Sequence, residues 1–276
     1  MSGRKVSPPS PPTRREQLRA EREAQLRRSD RRMRIIWLVA AVVVVAIIAT
    51  VATVVVRNRS AGHRLTDQQL AAQVSPPNLN AAGSAIVENP RTTADVPTIT
   101  VYLDFQCPAC KSFNETYGPV LNQLAGASEI KLEFSILTVI GKRLGNEDAS
   151  ERAGRAAMCA DVVGVYPTYH DALFAGQPEQ EGAGFTDEQL RVTFANQAGL
   201  QNPELAKFQQ CYDQRATANA LASQQEKALP SFDGSTPQVS INGKNPMVNA
   251  DGKQVAWWQV LDPSSAAWEQ AIAQYK

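Results

Sequence analysis

The chain has 276 residues, 43% of them hydrophobic and 20% charged, with a net charge of +1; that is length enough for one large or two small globular domains with a sizeable core. The near-neutral total hides a split, because residues 1–34 hold eleven Arg or Lys against four Asp or Glu and leave an acidic body behind them. Nucleic-acid binding is one reading of such a tail, but its Pro-rich start (Pro8, Pro9, Pro11, Pro12) and the apolar run behind it favour a membrane role, and no nucleic-acid partner is expected.

Ile35 to Val56 contains no charged residue over 22 positions. At about 1.5 Å per residue it reaches roughly 33 Å, enough to cross a hydrocarbon core of about 30 Å, so residues 35–56 are predicted as a transmembrane helix. A cleaved signal peptide is the competing reading, with Ala49 and Ala52 as a small-residue cleavage motif; the long polar lead and the length of the run favour an uncleaved signal anchor. Arg27, Arg28, Arg31, Arg32 and Arg34 crowd one flank, against Arg57 and Arg59 at the other, which places residues 1–34 as a disordered cytoplasmic tail and everything past the run outside the cell membrane. No Cys lies near the run, which argues against a lipid-modified anchor.

Residues 57–83 are polar, broken by Pro76 and Pro77, and read as a linker; a short amphipathic helix over Leu65 to Val74 is the alternative to a solvated spacer. Ser84 to Glu88 suits an edge strand, and Thr98 to Phe105, rich in β-branched and aromatic residues, suits a longer one. That second strand runs directly into Asp104-Phe105-Gln106-Cys107-Pro108-Ala109-Cys110. Pro108 fits the first position of a helix, and Phe113, Tyr117, Val120, Leu121 and Leu124 follow at helical spacing. Cys107 then occupies a helix N-terminus, where unpaired N–H groups and the helix dipole favour a thiolate. Cys110, three residues before Phe113, falls on the apolar stripe. The spacing therefore predicts an asymmetric dithiol: an exposed, acidified, attacking Cys107 and a shielded, resolving Cys110. Gly126 closes the helix and Ile130 to Ile136 alternates as a strand, completing a βαβ unit with a parallel pair.

From about residue 145 to 229 the pattern is helical. Ala149, Ala153, Ala156, Ala160 and Val163 make one stripe with Cys159 beside it; Thr186 and Gln189 make a capping box; Gly199 is a stop; and Asn202-Pro203 is a second cap and first-turn pair ahead of Leu205, Phe208, Cys211 and Tyr212. All four cysteines fall on the exported side, where even numbers of thiols pair, so two disulfides are the default expectation. A Cys-only zinc site would need two CxxC-like pairs and only one exists, and His63 and His170 add no ligand cluster, so no metal or other cofactor is expected; His170 reads as an ordinary helix-surface or capping residue. Pairing Cys159 with Cys211 would clip a loop of about 50 residues, on the order of 4 kcal/mol in the chain-entropy model, a structural role. A second exchange site is the alternative, disfavoured because neither cysteine starts a helix or sits in a CxxC. Strand signals return at Gln238 to Ile241 after Thr236-Pro237; Asn242-Gly243 signals a hairpin to Met247–Asn249, Asp251-Gly252 supplies another turn, and Pro263 to Tyr275 closes the chain as a helix around Trp268, Ala271 and Ile272, with Trp257 and Trp258 as packing residues.

A CxxC between strand and helix, a helical block, Thr-Pro before a hairpin and a final helix together resemble the thioredoxin fold with a DsbA-type helical insertion. The marks are Cys107-Pro108-Ala109-Cys110, the preceding Tyr102-Leu103-Asp104-Phe105, His170-Asp171-Ala172-Leu173-Phe174 within the insertion, and Ser235-Thr236-Pro237. With the N-terminal anchor and the extra Cys159 and Cys211, the chain is most similar to membrane-anchored DsbA-like thiol-disulfide oxidoreductases of actinobacteria, in which a second, structural disulfide braces the helical domain. The resemblance implies an α/β domain over residues 84–276 with the insertion at about 145–229, and a cis peptide bond before Pro237; a trans Pro that only starts a strand is the competing reading. A cis bond there leaves Thr236 backbone groups free to pair with an extended substrate beside Pro108 and Ala109. Two positions depart from the pattern. Ala109 stands where DsbA has His, which implies a weaker oxidant, and Val101 stands six residues before Cys107, where some members carry an acid.

The resemblance implies an exported, membrane-tethered enzyme that introduces disulfides into secreted or cell-envelope proteins. Its partners would be reduced exported proteins as substrates and a membrane quinone-linked oxidase, DsbB-like or VKOR-like, as recycler. A disulfide reductase or isomerase, for instance in cytochrome c maturation, and a non-catalytic exported binding module with structural disulfides are the alternatives.

Overall fold

The computed structural model describes residues 37–38, 42–50, 65–92 and 95–275, which fall into two units divided at Arg64 and Leu65. The expectations for residues 1–34 and 57–64, and most of that for 35–56, lie outside the described residues. In the first unit residues 42–50 are helical and expose Val42 to Val45, Ile47 and Ile48. Among the described residues no helix is long and apolar enough to cross a membrane.

In the second unit, β2 (Thr98–Leu103) and β3 (Lys131–Ile136) are parallel in unbroken register from Thr98 opposite Lys131 to Leu103 opposite Ile136, as a βαβ unit requires. Between them runs α2 (Pro108–Gly126), whose Phe113, Val120, Leu121 and Leu124 are buried. β1 (Ile86–Val87) adds antiparallel to β3 and β4 (Gln238–Ile241) antiparallel to β2, giving the order β1-β3-β2-β4. Period-two alternation gives the sheet unlike faces. Ile99, Val101, Leu103, Phe134 and Val239 enter the main core, whereas Thr100, Glu133, Ser135, Gln238 and Ser240 are buried polar residues. Polar neighbours meet part of that second face: Glu133 accepts from Asn80 Nδ2 (2.9 Å) and Thr100 Oγ1 (3.3 Å), and Ser135 Oγ donates to the Ser84 carbonyl (3.0 Å).

Those partners explain one correction. Residues 65–83 do not form a solvated spacer. Thr66 and Gln69 make a capping box on a short helix, α1 (Asp67–Ala71); Val74 N donates to Ala216 O; and Asn78 bonds Asp161 through both its backbone N (3.1 Å) and Nδ2 (2.8 Å). Among the polar side chains that suggested a linker, Gln73, Asn78 and Asn80 are bonded to the body.

The helical block begins at α3 (Val139–Leu144), earlier than residue 145, and continues through α4 (Glu147–Val162), α5 (Tyr166–Ala175), a π-helical turn (Gln189–Thr193) leading into α6 (Phe194–Gln197), α7 (Glu204–Asp213) and α8 (Ala218–Ala228). Gly154 lets α4 approach closely: a Cβ there would stand 3.0 Å from Leu221 and 3.2 Å from Ile136. The Thr186–Gln189 capping box forms, and Gly199 stops α6 at φ +87°. Asn202-Pro203 departs from expectation: its peptide bond is cis, and Pro203 precedes α7 with no side-chain cap. α8 is tied to the end of β3, Gln224 Oε1 accepting from Ile136 N (3.1 Å) and Gln225 Oε1 from Thr138 N (2.7 Å).

The C-terminal hairpin is also displaced. Asn242-Gly243 does turn the chain, with Ile241 and Lys244 exchanging backbone bonds, but Asn245-Pro246 then leads it off the sheet, Pro246 having no N–H to offer. The hairpin forms one turn later, between β5 (Met247–Ala250) and β6 (Lys253–Ala256), around Asp251-Gly252. α9 (Ser265–Ala273) starts at Ser264, whose Oγ accepts from Ala267 N, and inserts fully buried Trp268 against Trp257, which itself donates through Nε1 to Val239 O (2.9 Å).

Candidate active site

β2 ends at Leu103, and Asp104-Phe105-Gln106 carries the chain into α2 with Cys107 as the N-cap residue in extended conformation. Cys107 N donates to Asp104 O (2.9 Å), and the Cys107 carbonyl accepts the first helical bonds from Cys110 N (3.1 Å) and Lys111 N (3.2 Å). Pro108 has no N–H to strand, so the sequence meets the geometry at that position. No disulfide joins the two sulfurs in this structure. Cys107 is only 4% exposed and Cys110 2%, so the expectation of an exposed Cys107 is corrected; Pro108 and Ala109 between them are the exposed members of the motif.

The loop before β4 shields Cys107. The Cys107 thiol donates to the Thr236 carbonyl at 3.3 Å, and the Thr236-Pro237 bond is cis, as the resemblance implies. Two side chains not singled out in the sequence shape this loop. Asp233 accepts from Ser235 N (2.9 Å) and from Asn245 Nδ2 (2.6 Å), and Gln238 bridges Asp233 N and Ser231 O.

The insertion grips the motif from the other side. Gln177 Nε2 donates to the carbonyls of Phe105 (2.8 Å) and Cys107 (3.1 Å), Gly184 N donates to Gln106 Oε1 (2.8 Å), and Lys111 Nζ donates to Phe174 O (2.7 Å). Asp104 is fully buried, accepting from Gln106 N and Ile140 N, both at 2.9 Å; burial nevertheless lifts its carboxyl to about 6.

Electrostatics separate the two thiols. A hydrogen bond from the Cys110 thiol is the largest influence on Cys107; with help from the Thr236 side chain and the N–H groups of Cys110 and Ala109, it outweighs burial and lowers Cys107 to about 6. Ala109 thus contributes through its backbone although it offers no imidazole. Cys110 is pushed the opposite way, well above the ordinary thiol value, first by burial and then by its neighbour Cys107. Such a pair can hold one sulfur as a nucleophile and good leaving group and keep the other protonated until it is needed.

Cys159 and Cys211 are elsewhere. They form a disulfide between α4 and α7, with Cα atoms 5.9 Å apart across 52 positions of sequence. Among the described residues no group of three or more His, Cys, Asp or Glu is arranged to hold a metal ion. His170 is a second correction. It is 2% exposed rather than on a helix surface, and its ring meets Phe105, Phe134, Tyr166 and Phe174. The signal was present, since Tyr166, His170 and Phe174 recur every four residues on one helical face.

A thioredoxin family profile matches residues 91–257. No curated protein sequence matches the chain. Among solved structures, MdbA of Actinomyces oris, a thiol-disulfide oxidoreductase, is 16% identical over 73% of this chain and 93% of that one, with a TM-score of 0.52. BdbD of Bacillus subtilis is 16% identical over 73% and 97%, TM-score 0.51. MdbA of Corynebacterium diphtheriae, also a thiol-disulfide oxidoreductase, is 21% identical over 62% and 88%, TM-score 0.50. At these identities the likeness is one of fold. With a profile match over more than half of its length and a cysteine pair at the strand-to-helix junction, the chain belongs to the thioredoxin family, with a block of helices inserted between β3 and β4.

Proposed function

We propose that this chain is an exported, membrane-tethered thiol-disulfide oxidoreductase that passes its Cys107–Cys110 disulfide to reduced secreted or cell-envelope proteins. The observation that carries the reading is the opposed tuning of two sulfurs one helical turn apart, Cys107 lowered to about 6 and Cys110 raised. In the cycle, a substrate thiolate attacks Cys107 Sγ of the oxidised pair and the electron pair leaves on Cys110, which is then protonated. A second substrate thiolate attacks the substrate sulfur of the mixed disulfide and expels the Cys107 thiolate. The substrate leaves with one disulfide, and the enzyme holds the two electrons as a dithiol. Pro108 and Ala109, with Thr236 and Pro237 beside Cys107, supply the face on which an extended substrate is laid, and Cys159–Cys211 braces the helical domain.

Tethering is supported by the uncharged stretch 35–56 and its one-sided arginine flank, which give a single-pass anchor with the N-terminus cytoplasmic. A membrane oxidase that passes electrons to quinone, DsbB-like or VKOR-like, is the corresponding recycler, and a shared membrane raises the effective concentration of the pair. Equilibration of the full chain with glutathione mixtures tests the direction of transfer. A potential well above that of thioredoxin, about −270 mV, is expected; one at or below it assigns the protein to reduction instead. Retention in the membrane fraction after an alkaline wash, lost on deleting residues 35–56, tests the anchor.

A further inference from the structure

His170 stands near the centre of α5 in a setting that the exchange cycle above does not use. Its ring lies 4.4 Å from that of Phe134 and 5.0 Å from that of Phe174 between centroids, out of reach of solvent. Nδ1 is 3.3 Å from Asp171 Oδ1, an oxygen that also accepts from Asn114 Nδ2 at 3.1 Å. A carboxylate at Nδ1 holds the ring proton on that nitrogen and leaves Nε2 as the basic site. Nε2 is buried and has no hydrogen-bond partner, an unsatisfied acceptor in an apolar setting.

Beneath the dithiol lies a narrow gap, walled by Cys110, Asn114, Phe134, His170, Phe174 and Pro237 among others, with no room for a water molecule. Among the described residues, Cys110 and His170 are the only ionisable ones on its wall. A buried thiol that must lose its proton and a buried imidazole whose Nε2 has no partner therefore line one dry gap, with no hydrogen bond between them in this state. Other ionisable groups nearby are not on that wall: Asp171 on the same helix; Glu88 and Tyr166, which both feel the Asp171 charge, the latter with its ring against His170; Lys111, bound to the Phe174 carbonyl; and buried Asp104, coupled to Cys107.

We propose that His170, oriented by Asp171, accepts the proton of Cys110 and returns it. This rests on the reading of Cys107 and Cys110 as an exchange pair. When a mixed disulfide on Cys107 is resolved internally, the imidazole and the Cys110 thiol close across the dry gap, the S–H proton passes to Nε2 and the Cys110 thiolate attacks Cys107 Sγ. The bond from Cys107 to the ligand sulfur breaks and the ligand leaves as a thiolate with the electron pair. The Cys107–Cys110 disulfide remains, with an imidazolium paired to Asp171. In the opposite direction an incoming thiolate attacks Cys107, Cys110 is expelled, and the imidazolium N–H protonates it. A free Cys110 thiolate in this apolar setting is costly, and transfer to a neighbouring base shortens its lifetime.

The test uses the full chain in detergent, reduced and mixed with dithiobis(nitrobenzoate). Attack by Cys107 releases one coloured thiolate and attack by Cys110 on the resulting mixed disulfide releases the second, so each thiol has its own phase. In His170→Phe the first phase is expected within about twofold of wild type and the second slower by at least about tenfold, the low end of what positioned proton transfer supplies. Asp171→Asn, at a half-exposed carboxylate, keeps the ring and is expected to slow the second phase by roughly threefold or more while leaving the ultraviolet titration of Cys107 in place. A second phase within about twofold of wild type in either folded variant, or equal slowing of both phases, overturns the proposal. If His170→Phe does not fold, Asp171→Asn decides alone. A wild-type protein that shows no second phase refutes instead the exchange-pair reading beneath it.

Discussion

Replacing Cys110 with alanine removes the largest influence that holds Cys107 as a thiolate. Cys107 titrates at about 6 against an ordinary value of 9.0, and the Cys110 thiol comes first among the causes. A hydrogen bond to a charged acceptor is worth about 1.5–3 kcal/mol, and about 1.4 kcal/mol corresponds to one pH unit, so Cys110→Ala should carry the midpoint to about 7 or 8. The helix start, the Thr236 side chain and the N–H groups of Ala109 and Cys110 remain, which is why it should not return all the way. The assay is ultraviolet thiolate absorbance against pH on reduced protein, with Cys107→Ser as the blank. The stability of the reduced form carries the same information. Because the folded value of Cys107 lies below the unfolded one, its contribution is fully present above about 9 and is lost as pH falls through about 6. The full difference corresponds to roughly 4 kcal/mol; discounted by half for water reaching the mouth of the motif, it leaves about 2 kcal/mol, of which Cys110→Ala should remove roughly one to two thirds. A midpoint still near 6 in Cys110→Ala would refute the reasoning and assign the acidity to the helix start alone.

Other consequences follow from separate parts of the molecule. Replacing Cys159 and Cys211 together with alanine should lower stability to urea by about 4 kcal/mol while leaving the Cys107 titration unchanged, because that bridge acts on the helical block and not on the motif. Glu88 is raised from 4.5 to about 7, first by burial and then by Asp171, so ionising it destabilises the fold: its adverse contribution is absent below about 4.5 and complete above about 7. Glu88→Gln should therefore gain about 2 kcal/mol over wild type in urea unfolding at pH about 8 and nothing in acid; equal gains at both would contradict the assignment. Trp268→Ala should cost about 3–5 kcal/mol by calorimetry or urea, since the ring is fully buried between Trp257 and Tyr117.

What could be read from the amino acids alone was whatever their near neighbours decide. The β-branched and aromatic run from Thr98, Pro108 at the first helical position and the spacing of Phe113, Leu121 and Leu124 all act within a turn or a strand, and they put Cys107 at the strand-to-helix junction where the structure has it. The failures came from partners distant in sequence. Asn78 looked solvated because its acceptor, Asp161, lies 83 residues on. His170 looked like a surface residue because its polarity, and not the face it shares with Tyr166 and Phe174, was given the weight. Cys107 was assigned an open position because a helix start is normally open; the loop that covers it arrives 129 residues later, at Thr236. The Asn242-Gly243 turn was correctly seen, but Pro246 decided that the pairing it promised would form elsewhere.

The central claim is that Cys107 and Cys110 carry disulfides to other proteins. Its most direct test is oxidative refolding of a reduced, unfolded disulfide-containing protein by the oxidised full chain, followed by recovery of substrate activity beside the Cys107→Ser variant. One substrate disulfide should form for each Cys107–Cys110 pair reduced, and the variant should form none. Recovery that is the same with Cys107→Ser as with wild type, or absent from both, would contradict the account.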